Sequence, residues 1–470
     1  MANPTGNDLT KGNVMRHVTV MSFTSSIGIM AIYLVDLFDI FFISLLGHEE
    51  VAAAAGYATT LLFFISALNI GLSIGAGALI ARELGARRIS QARDYTAASS
   101  SIAFCVGIVL PVVTIPFMPF FVGLLGATGN VAEMAVNYLY IVVPASGLSA
   151  MSMVYVAAIR ADGDAKWAMY PALLGAVINL VFDPILIFGL GLDLQGAAIA
   201  TVLARVGTFA LAWHAVSRRF DLMTAPRWDA QRKLTKEIMD YAWPALLANV
   251  ATPVGTAIIT RYVTFYGPEA VAGFAVVGRL TPVVFSVVNA LSESIGAIIG
   301  QNYGAKRFDR VRRAYYAAMT FLAVYVAIAI GLLILFENQI ATAFSAEGLA
   351  RDIIGIFCGL FSVVAFFNGA LFVSTAAFNN LGYPTISPWV SWAKNTVGLV
   401  PIVWIGIHYF GFIGIFYGLL ANSALFAVFS YVIAEWIMGH LPPEAKQPKR
   451  AAFPQRNRHI AVSHSKPMHS

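Results

Sequence analysis

Two stretches, "GALIARELGARR" at residues 77–88 and "GAIIGQNYGAKR" at residues 296–307, are variants of one pattern that recurs 219 residues further along the chain. The same separation relates Gly163 in "RADGDA" to Gly382 in "NNLGYP". A constant offset between such distant segments is hard to obtain from composition alone. The chain is therefore predicted to consist of two halves with the same internal order.

The apolar residues identify the class of protein. The chain has 470 residues, of which 59% are hydrophobic and 11% are charged. A soluble chain of this length needs more charge to cover its surface, and its apolar runs reach the ~20 residues that a membrane-spanning helix needs. We predict an all-α polytopic membrane protein with twelve spans at about 14–46, 51–80, 95–117, 132–159, 167–190, 195–216, 237–265, 269–300, 314–336, 352–378, 385–408 and 412–437.

The repeat predicts how these spans are grouped. Six spans in each half make a parallel repeat, in which two bundles are related by an axis along the membrane normal. Such a pair predicts a V-shaped central cavity that opens alternately to each side, which is the architecture of a secondary transporter. The predicted domains are an N-terminal bundle at 14–216, a cytoplasmic linker at 217–236, a C-terminal bundle at 237–437 and a disordered basic tail at 438–470.

Basic residues predict the orientation. Of the 30 Lys and Arg residues, 25 lie before the first span, in the even-numbered loops or in the tail. Because basic loops stay on the cytoplasmic side, we expect both termini in the cytoplasm and the protein in the cytoplasmic (inner) membrane. The net charge of +6 follows from this asymmetry and does not argue for nucleic acid.

Several classes of function are disfavoured. Cys105 and Cys358 lie in separate apolar runs, without metal-ligand spacing or a disulfide framework. No Gly-rich phosphate loop occurs in a soluble segment, so ATP is not expected as a directly coupled energy source. No catalytic pattern favours an intramembrane enzyme, and no sequence indicates a channel selectivity filter. We expect no catalytic residue and no cofactor.

Acidic residues within the spans are the main candidates for a site. Asp36 and Asp39 are three positions apart, and Asn179 and Asp183 are four apart, so each pair shares one helix face. A charged residue inside a span costs at least ~2.5–3.5 kcal/mol, so it faces the bundle interior or a wet cavity. If spans 1, 5 and 6 meet, these residues and Thr201 form one cluster of oxygen atoms.

Three motifs resemble those of the multidrug and toxic compound extrusion (MATE) family. They are "GQNYGAKRFDRVRRA" after span 8, "NLVFDPILIFGLGLDLQGAAIAT" at 179–201 and "DIFFISLLG" at 39–47. The resemblance covers all twelve spans. It implies an antiporter that expels organic, often cationic compounds in exchange for protons or Na⁺. Asp39 matches the family's acidic position in span 1, and Asp36 stands where the family often has Asn.

Two departures from the family pattern bear on mechanism. The family commonly has a proline before the span 1 acid, whereas "MSFTSSIGIM" at 21–30 has Gly28 and no proline. Some branches have a cation-binding Glu in span 7, whereas "WPALLANVATPVGTAII" at 243–259 has no acid. The first departure argues against a proline-driven bend of span 1, and the second places the expected coupling chemistry in the first half.

The acid cluster suggests a coupling mechanism. Neighbouring carboxylates in a poorly solvated site share a proton, and we predict that protonation repacks span 1 and ejects the substrate. The same oxygens could hold Na⁺, a hard cation, although the second acid at Asp36 favours protons. A structural alternative is that Asp183 satisfies the backbone group freed by Pro184.

Four further residues are candidates for substrate binding or ion pairing. Glu293 is expected to pair with Arg279 within one bundle, and the alternative is that Glu293 recognises a cation. Lys394 lies where span 11 could face the cavity, and it would favour anionic or zwitterionic substrates. Tyr138 matches a family tyrosine, although a tyrosine at a span end is more often an interfacial residue.

The predicted function is proton-coupled efflux of organic, cationic or amphipathic compounds, with Na⁺ as the open alternative ion. A second hypothesis is a lipid or lipid-linked oligosaccharide flippase, which shares the repeat of six spans. A flippase would favour a cavity lined with Arg and Lys and often two extra spans. We expect a monomer in the lipid bilayer that binds a small-molecule substrate.

Overall fold

A computed structural model describes residues 8–46, 49–226, 228–344 and 348–442. Each predicted span overlaps a helix or a run of helical segments. The twelve elements are α1 (Val14–Leu45), α2 (Glu49–Gly85), α3 (Ile89–Leu124), α4 (Gly129–Ala161), α5 (Ala165–Gly189), α6 (Asp193–Arg219), α7 (Trp228–Thr264), α8 (Pro268–Val284 and Ser286–Gly304), α9 (Phe308–Leu335), α10 (Gly348–Ile356, Phe357–Phe361 and Val363–Leu381), α11 (Ile386–Phe410) and α12 (Ile413–Gly439). A short helix, Glu337–Ala343, precedes α10.

Span 8 differs from the straight helix that its sequence predicts. Its two segments are bent by 44° at Phe285, which leaves the helical conformation at φ −102° and ψ 20°. With α8 taken as one broken span, the described residues hold twelve candidate membrane spans. In contrast, α1 runs unbroken through Gly28, as expected for a first helix without the family's proline.

The backbone conformation repeats between the halves. Arg87 and Lys306 have positive φ angles of 61° and 56°, and Gly163 and Gly382 have φ angles of 97° and 96°. Each pair is separated by the 219-residue offset. Positive φ is uncommon outside glycine, so its recurrence at equivalent positions confirms the internal repeat. All four residues follow helices at the ends that carry the basic loops, which we call the basic end.

The two bundles meet where α2 crosses α8 at the basic end. A Cβ atom at Gly85 would lie 2.0 Å from the Gln301 carbonyl oxygen, and one at Gly304 would lie 1.9 Å from the Arg82 carbonyl oxygen. The offset that relates Gly85 to Gly304 also relates Arg82 to Gln301. The contact is therefore symmetric, and only glycine permits so close an approach of the two backbones.

The N-terminal segment reinforces this crossing. The Leu9 N–H donates to the side-chain oxygen of Gln301 (3.1 Å), and the Leu9 carbonyl accepts from Asn302 (3.2 Å) and Arg310 (3.1 Å). The Gln301 side chain in turn donates to the Ala161 carbonyl of α4 (2.6 Å). Gln301 thus joins the N-terminal segment, the first bundle and the second bundle.

The boundaries between domains stay a prediction. Within the predicted linker 217–236, α6 extends to Arg219 and α7 begins at Trp228, so residues 220–226 form the non-helical part that the structure describes. Of the predicted disordered tail 438–470, the residues after 442 lie outside the described part of the chain.

We expect Gly304→Ala to destabilise the junction of the bundles. The new methyl group meets the Arg82 carbonyl, which belongs to a rigid helix, and such overpacking costs about 1–3 kcal/mol. The thermal unfolding midpoint in detergent micelles should fall. Gly331→Ala is the matched control because no heavy atom lies within 4 Å of its Cβ position. Equal midpoints for both variants would contradict the symmetric contact.

A second prediction concerns Asp162, which lies between α4 and α5, outside the spans. Burial and the charge of Asp164 raise the pKa of Asp162 from 3.8 to about 7. The folded protein therefore holds this proton more tightly than the unfolded chain, so stability falls as pH rises from 3.8 to about 7. Asp162→Asn should unfold at a higher temperature than the wild type at pH 8. The exposed Asp240→Asn serves as control, and the same pH dependence in both variants would refute the assignment.

Candidate functional site

The first bundle brings together the helices that carry the predicted site. α1 packs against α5, α5 packs against α6, and α4 packs against α6. The predicted convergence of spans 1, 5 and 6 is therefore present. The predicted residues on these helices are Asp36, Asp39, Asn179, Asp183 and Thr201.

Asp39 and Asp183 form the centre of this cluster. Their side chains lie within hydrogen-bonding reach of each other across the α1–α5 contact. Asp183 is 2% exposed and Asp39 is half-buried. Because an ionised carboxylate is only an acceptor, a hydrogen bond between two carboxyl groups requires that one of them carries a proton. This proximity is suited to a carboxyl pair that shares one proton.

Three oxygen atoms of the cluster are buried without a hydrogen-bond partner among the described residues. They are Oδ1 of Asp39, Oδ2 of Asp183 and Oδ1 of Asn179, which stands one turn before Asp183. Buried polar atoms are rarely left unpaired, and those that are need an explanation. Hard oxygen donors of this kind are suited to a proton, a water molecule or a small hard cation.

The interpretation that Asp183 satisfies the backbone next to Pro184 is not supported. One Asp183 oxygen is engaged by Asp39, and the other has no partner in the described part of the chain. After Pro184 the helix widens into a π-helical turn over Ile185–Gly189, closed by the Leu190 N–H bond to the Ile185 carbonyl (2.9 Å). Asp183 is therefore free to pair with α1.

Thr201 and Tyr138 form a second polar contact beside the carboxyl pair. Their side chains are hydrogen-bonded, and the Tyr138 hydroxyl lies within electrostatic range of Asp39 and Asp183. Thr201 also donates to the Ala197 carbonyl (3.0 Å). Tyr138 thus belongs to the cluster rather than only to the membrane interface, and Thr201 holds it in place.

Arg205 is a neighbour of the cluster that is not among the predicted site residues. Its guanidinium group donates to the Val142 carbonyl (2.7 Å) and interacts with the Tyr138 hydroxyl. The feature of the sequence that could have identified Arg205 is its position one helical turn after Thr201. The sequence could not show that Arg205 reaches a backbone carbonyl instead of a carboxylate.

Asp36 lies beside the carboxyl pair and not within it. Its side chain is exposed and interacts electrostatically with Asp39 and with Tyr33, whose hydroxyl accepts a hydrogen bond from Asn289 of α8 (3.5 Å). Asp36 therefore faces the junction of the two bundles, whereas Asp39 faces α5.

The predicted ion pair between Glu293 and Arg279 is wrong. Glu293 pairs with Arg160 at the end of α4 (2.8 Å), so the pair joins the two bundles instead of lying within one. Arg279 has an exposed side chain. The spacing explains the error, because residues fourteen positions apart in one span lie about 21 Å apart along the helix axis and cannot reach each other.

Lys394 lies in the second bundle, apart from the acid cluster. It is half-buried in a π-helical part of α11 (Ala393–Gly398) and donates to the side-chain oxygen of Asn368 in α10 (2.6 Å). The four candidates for substrate binding or ion pairing are thus distributed over three places: Tyr138 in the acid cluster, Glu293 at the junction, and Arg279 and Lys394 in the second bundle.

Comparisons with known proteins agree with these features. The MatE family model matches residues 21–185 and 244–405, one segment in each half. The chain is 27% identical to a FAD transporter of Shewanella oneidensis over 89% of this chain and 93% of the relative. It is 25% identical to the probable multidrug resistance protein YoeA of Bacillus subtilis over 83% of this chain and 87% of the relative.

A solved structure shows the same fold. It is the outward-facing conformation of a multidrug resistance MATE family transporter, with a TM-score of 0.88 and 23% identity over 94% of this chain and 99% of that one. The predicted fold class, twelve spans in two six-helix bundles around a central cavity, is confirmed. The family and the fold are those of transporters.

The Arg160–Glu293 pair should contribute to the stability of the junction between the two bundles. Arg160 is 17% exposed and Glu293 is 44% exposed, so water weakens the pair and a coupling energy of about 1 kcal/mol is expected. A double-mutant cycle with Arg160→Gln and Glu293→Gln, followed by thermal unfolding, measures it. The matched cycle with Arg279→Gln in place of Arg160→Gln should give no coupling. Measurable coupling between Glu293 and Arg279 would restore the original pairing.

Proposed function

Because this chain belongs to the MATE family, we propose that it is an efflux antiporter that exports organic compounds in exchange for protons. The observation that carries the proposal is that the carboxyl groups of Asp39 and Asp183 lie within hydrogen-bonding reach of each other. A hydrogen bond between them requires a proton on one of the two groups, so the pair binds and releases the ion that drives transport.

The position of α1 explains how a proton would be coupled to movement. α1 packs against α5 in its own bundle and against α8 and α9 in the other bundle. Phe23 of α1 contacts the rings of Phe321 and Tyr325 of α9, with centroids 5.4 and 6.3 Å apart. When the carboxyl pair loses its shared proton, like charges repel across the α1–α5 contact. Repacking of α1 would then change the contact between the bundles and expose the substrate to the other side.

Na⁺ is the alternative coupling ion. The unpaired oxygens of Asp39, Asp183 and Asn179 are a donor set that also suits a hard cation. The additional carboxyl group of Asp36 beside this pair favours the proton, because neighbouring carboxylates in a poorly solvated site retain protons. Flux in proteoliposomes under an imposed pH gradient, and then under a Na⁺ gradient, distinguishes the two ions.

The basic end is proposed to face the cytoplasm. The concentration of Lys and Arg there supports this orientation, with both termini inside and the molecule in the cytoplasmic membrane. Reporter fusions at the two termini test it. A monomer is likewise expected, and the mass of the protein in detergent micelles tests that state.

The proposed substrates are amphipathic organic molecules, with cations included because the acid cluster of the first bundle holds Asp36, Asp39 and Asp183. A relative bears the name FAD transporter, so anions also belong in a substrate screen. The names of the relatives refer to FAD and to multidrug resistance or export, which supports efflux over the flippase hypothesis.

Asp39→Asn and Asp183→Asn should each abolish substrate flux driven by a pH gradient, to the level of protein-free liposomes. An amide at either position removes the shared proton. Ethidium is the probe, and Asp240→Asn is a matched control because its exposed carboxyl lies outside the cluster. Full coupled flux in both cluster variants would refute the proposal.

Asp36→Asn should leave coupled flux in place but change its dependence on pH, because it removes a charge that acts on Asp39 without touching the carboxyl pair. The measurement is the initial rate of ethidium flux across a series of pH values. An unchanged profile would make Asp36 a bystander.

A further inference from the structure

Lys394 is an isolated charge in the second bundle. It is the only Asp, Glu, Lys or Arg between Asp352 and Glu435, a stretch that contains most of α10 and α12 and all of α11. A charge at this depth is costly, and intramembrane ionisable residues mark functional pathways by default. Its environment therefore indicates a function.

The contacts of Lys394 are neutral. Its ammonium group donates to Asn368 of α10 (2.6 Å), and its carbonyl accepts from the side chain of Asn422 of α12 (3.1 Å). An ammonium has three N–H donors, and one of them is used in these contacts. The side-chain oxygen of Asn422 is buried without a partner among the described residues.

The neighbouring helices provide no acid at the depth of Lys394. The π-helical segment that carries Lys394 packs against α7 and α12, and its side chain reaches α10. The nearest acids along these helices are Asp240, Asp352 and Glu435. Each acid stands thirteen or more residues along its helix from the residue that lines the segment: Asp240 from Gly255, Asp352 from Asn368 and Glu435 from Asn422. At ~1.5 Å per residue, this is a separation of about 20 Å or more along each helix axis.

A half-buried cation without a counter-charge on the neighbouring helices is suited to an anionic ligand. The ammonium supplies the charge, and the Asn368 amide at the ammonium and the Asn422 amide at the Lys394 carbonyl can orient such a group. We propose that Lys394, with Asn368 and Asn422, forms an anion-binding subsite that holds a carboxylate or phosphate group of the transported molecule. This inference rests on the proposed export function for its physiological meaning, but binding itself can be tested without transport.

The subsite gives the two bundles opposite polarity. The first bundle holds Asp36, Asp39 and Asp183, and the second holds Lys394 without a nearby acid. A proton and an anionic substrate would then occupy different bundles and would not compete for the same carboxylate. Exchange of the proton for the substrate would therefore require movement of the bundles, and α1 is the helix that contacts both of them.

Flavin mononucleotide and riboflavin are matched probes, because they share a fluorescent ring system and differ by one phosphate. With the full-length protein in nanodiscs, fluorescence anisotropy should show tighter binding of the mononucleotide. Lys394→Gln should weaken mononucleotide binding by about tenfold or more, as expected when a charged hydrogen bond is lost, and should leave riboflavin binding unchanged. Lys394→Arg should retain most of the preference.

Asn368→Asp provides an independent variant. It places a carboxylate at hydrogen-bonding distance from the ammonium and should remove the preference for phosphate while Lys394 is still present. Lys306→Gln is the matched control, since it removes a lysine from the basic end and should preserve the preference. Unchanged riboflavin binding in each variant shows that the protein is folded.

Two results would overturn the subsite. One is equal binding of both flavins by the wild type, and the other is an equal loss of both in Lys394→Gln. Failure of the proposed function is separate: if Asp39→Asn retains coupled ethidium flux, antiport through the acid pair is refuted. The dependence of mononucleotide binding on Lys394 would still stand in that case.

Discussion

The contact between the α2 and α8 backbones at the basic end is the constraint around which the other features are arranged. Lipid chains are as apolar as leucine, so helices in a bilayer associate through close packing and polar contacts. Gly85 and Gly304 allow this packing at symmetric positions, each against a carbonyl of the other bundle. The bond from Gln301 to α4 and the Arg160–Glu293 pair lie in the same region. At the basic end the two bundles are thus joined by close backbone packing, a hydrogen bond and an ion pair.

α1 is the element through which chemistry in one bundle reaches the other. Its face toward α5 carries Asp39, and its contacts with α8 and α9 include Tyr33 and Phe23. A change of one proton at Asp39 and Asp183 therefore acts on a helix that already belongs to the junction. No soluble domain is needed to transmit the change, because the ion site and the junction share one helix.

The charged groups of the two proposed sites are divided between the bundles. Asp36, Asp39 and Asp183 lie in the first bundle, and Lys394, which donates to the neutral Asn368, lies in the second. The repeat would permit equivalent sites in both halves, yet the acid cluster and the lysine each occur in one half. This asymmetry separates the proposed proton site from the proposed anion subsite.

The sequence by itself determined the number of spans, their grouping into two equivalent halves, and the pairing of Asp36 with Asp39 and of Asn179 with Asp183 on single helix faces. These depend on hydrophobic run length, on a constant offset and on helical spacing, all of which are local properties. Only the tertiary structure decided that Glu293 pairs with Arg160, that Asp36 lies outside the carboxyl pair, and that Arg205 binds a carbonyl. Such choices depend on the rotation of each helix about its axis and on the break in α8. Both are set by packing between helices distant in sequence, which no local pattern encodes.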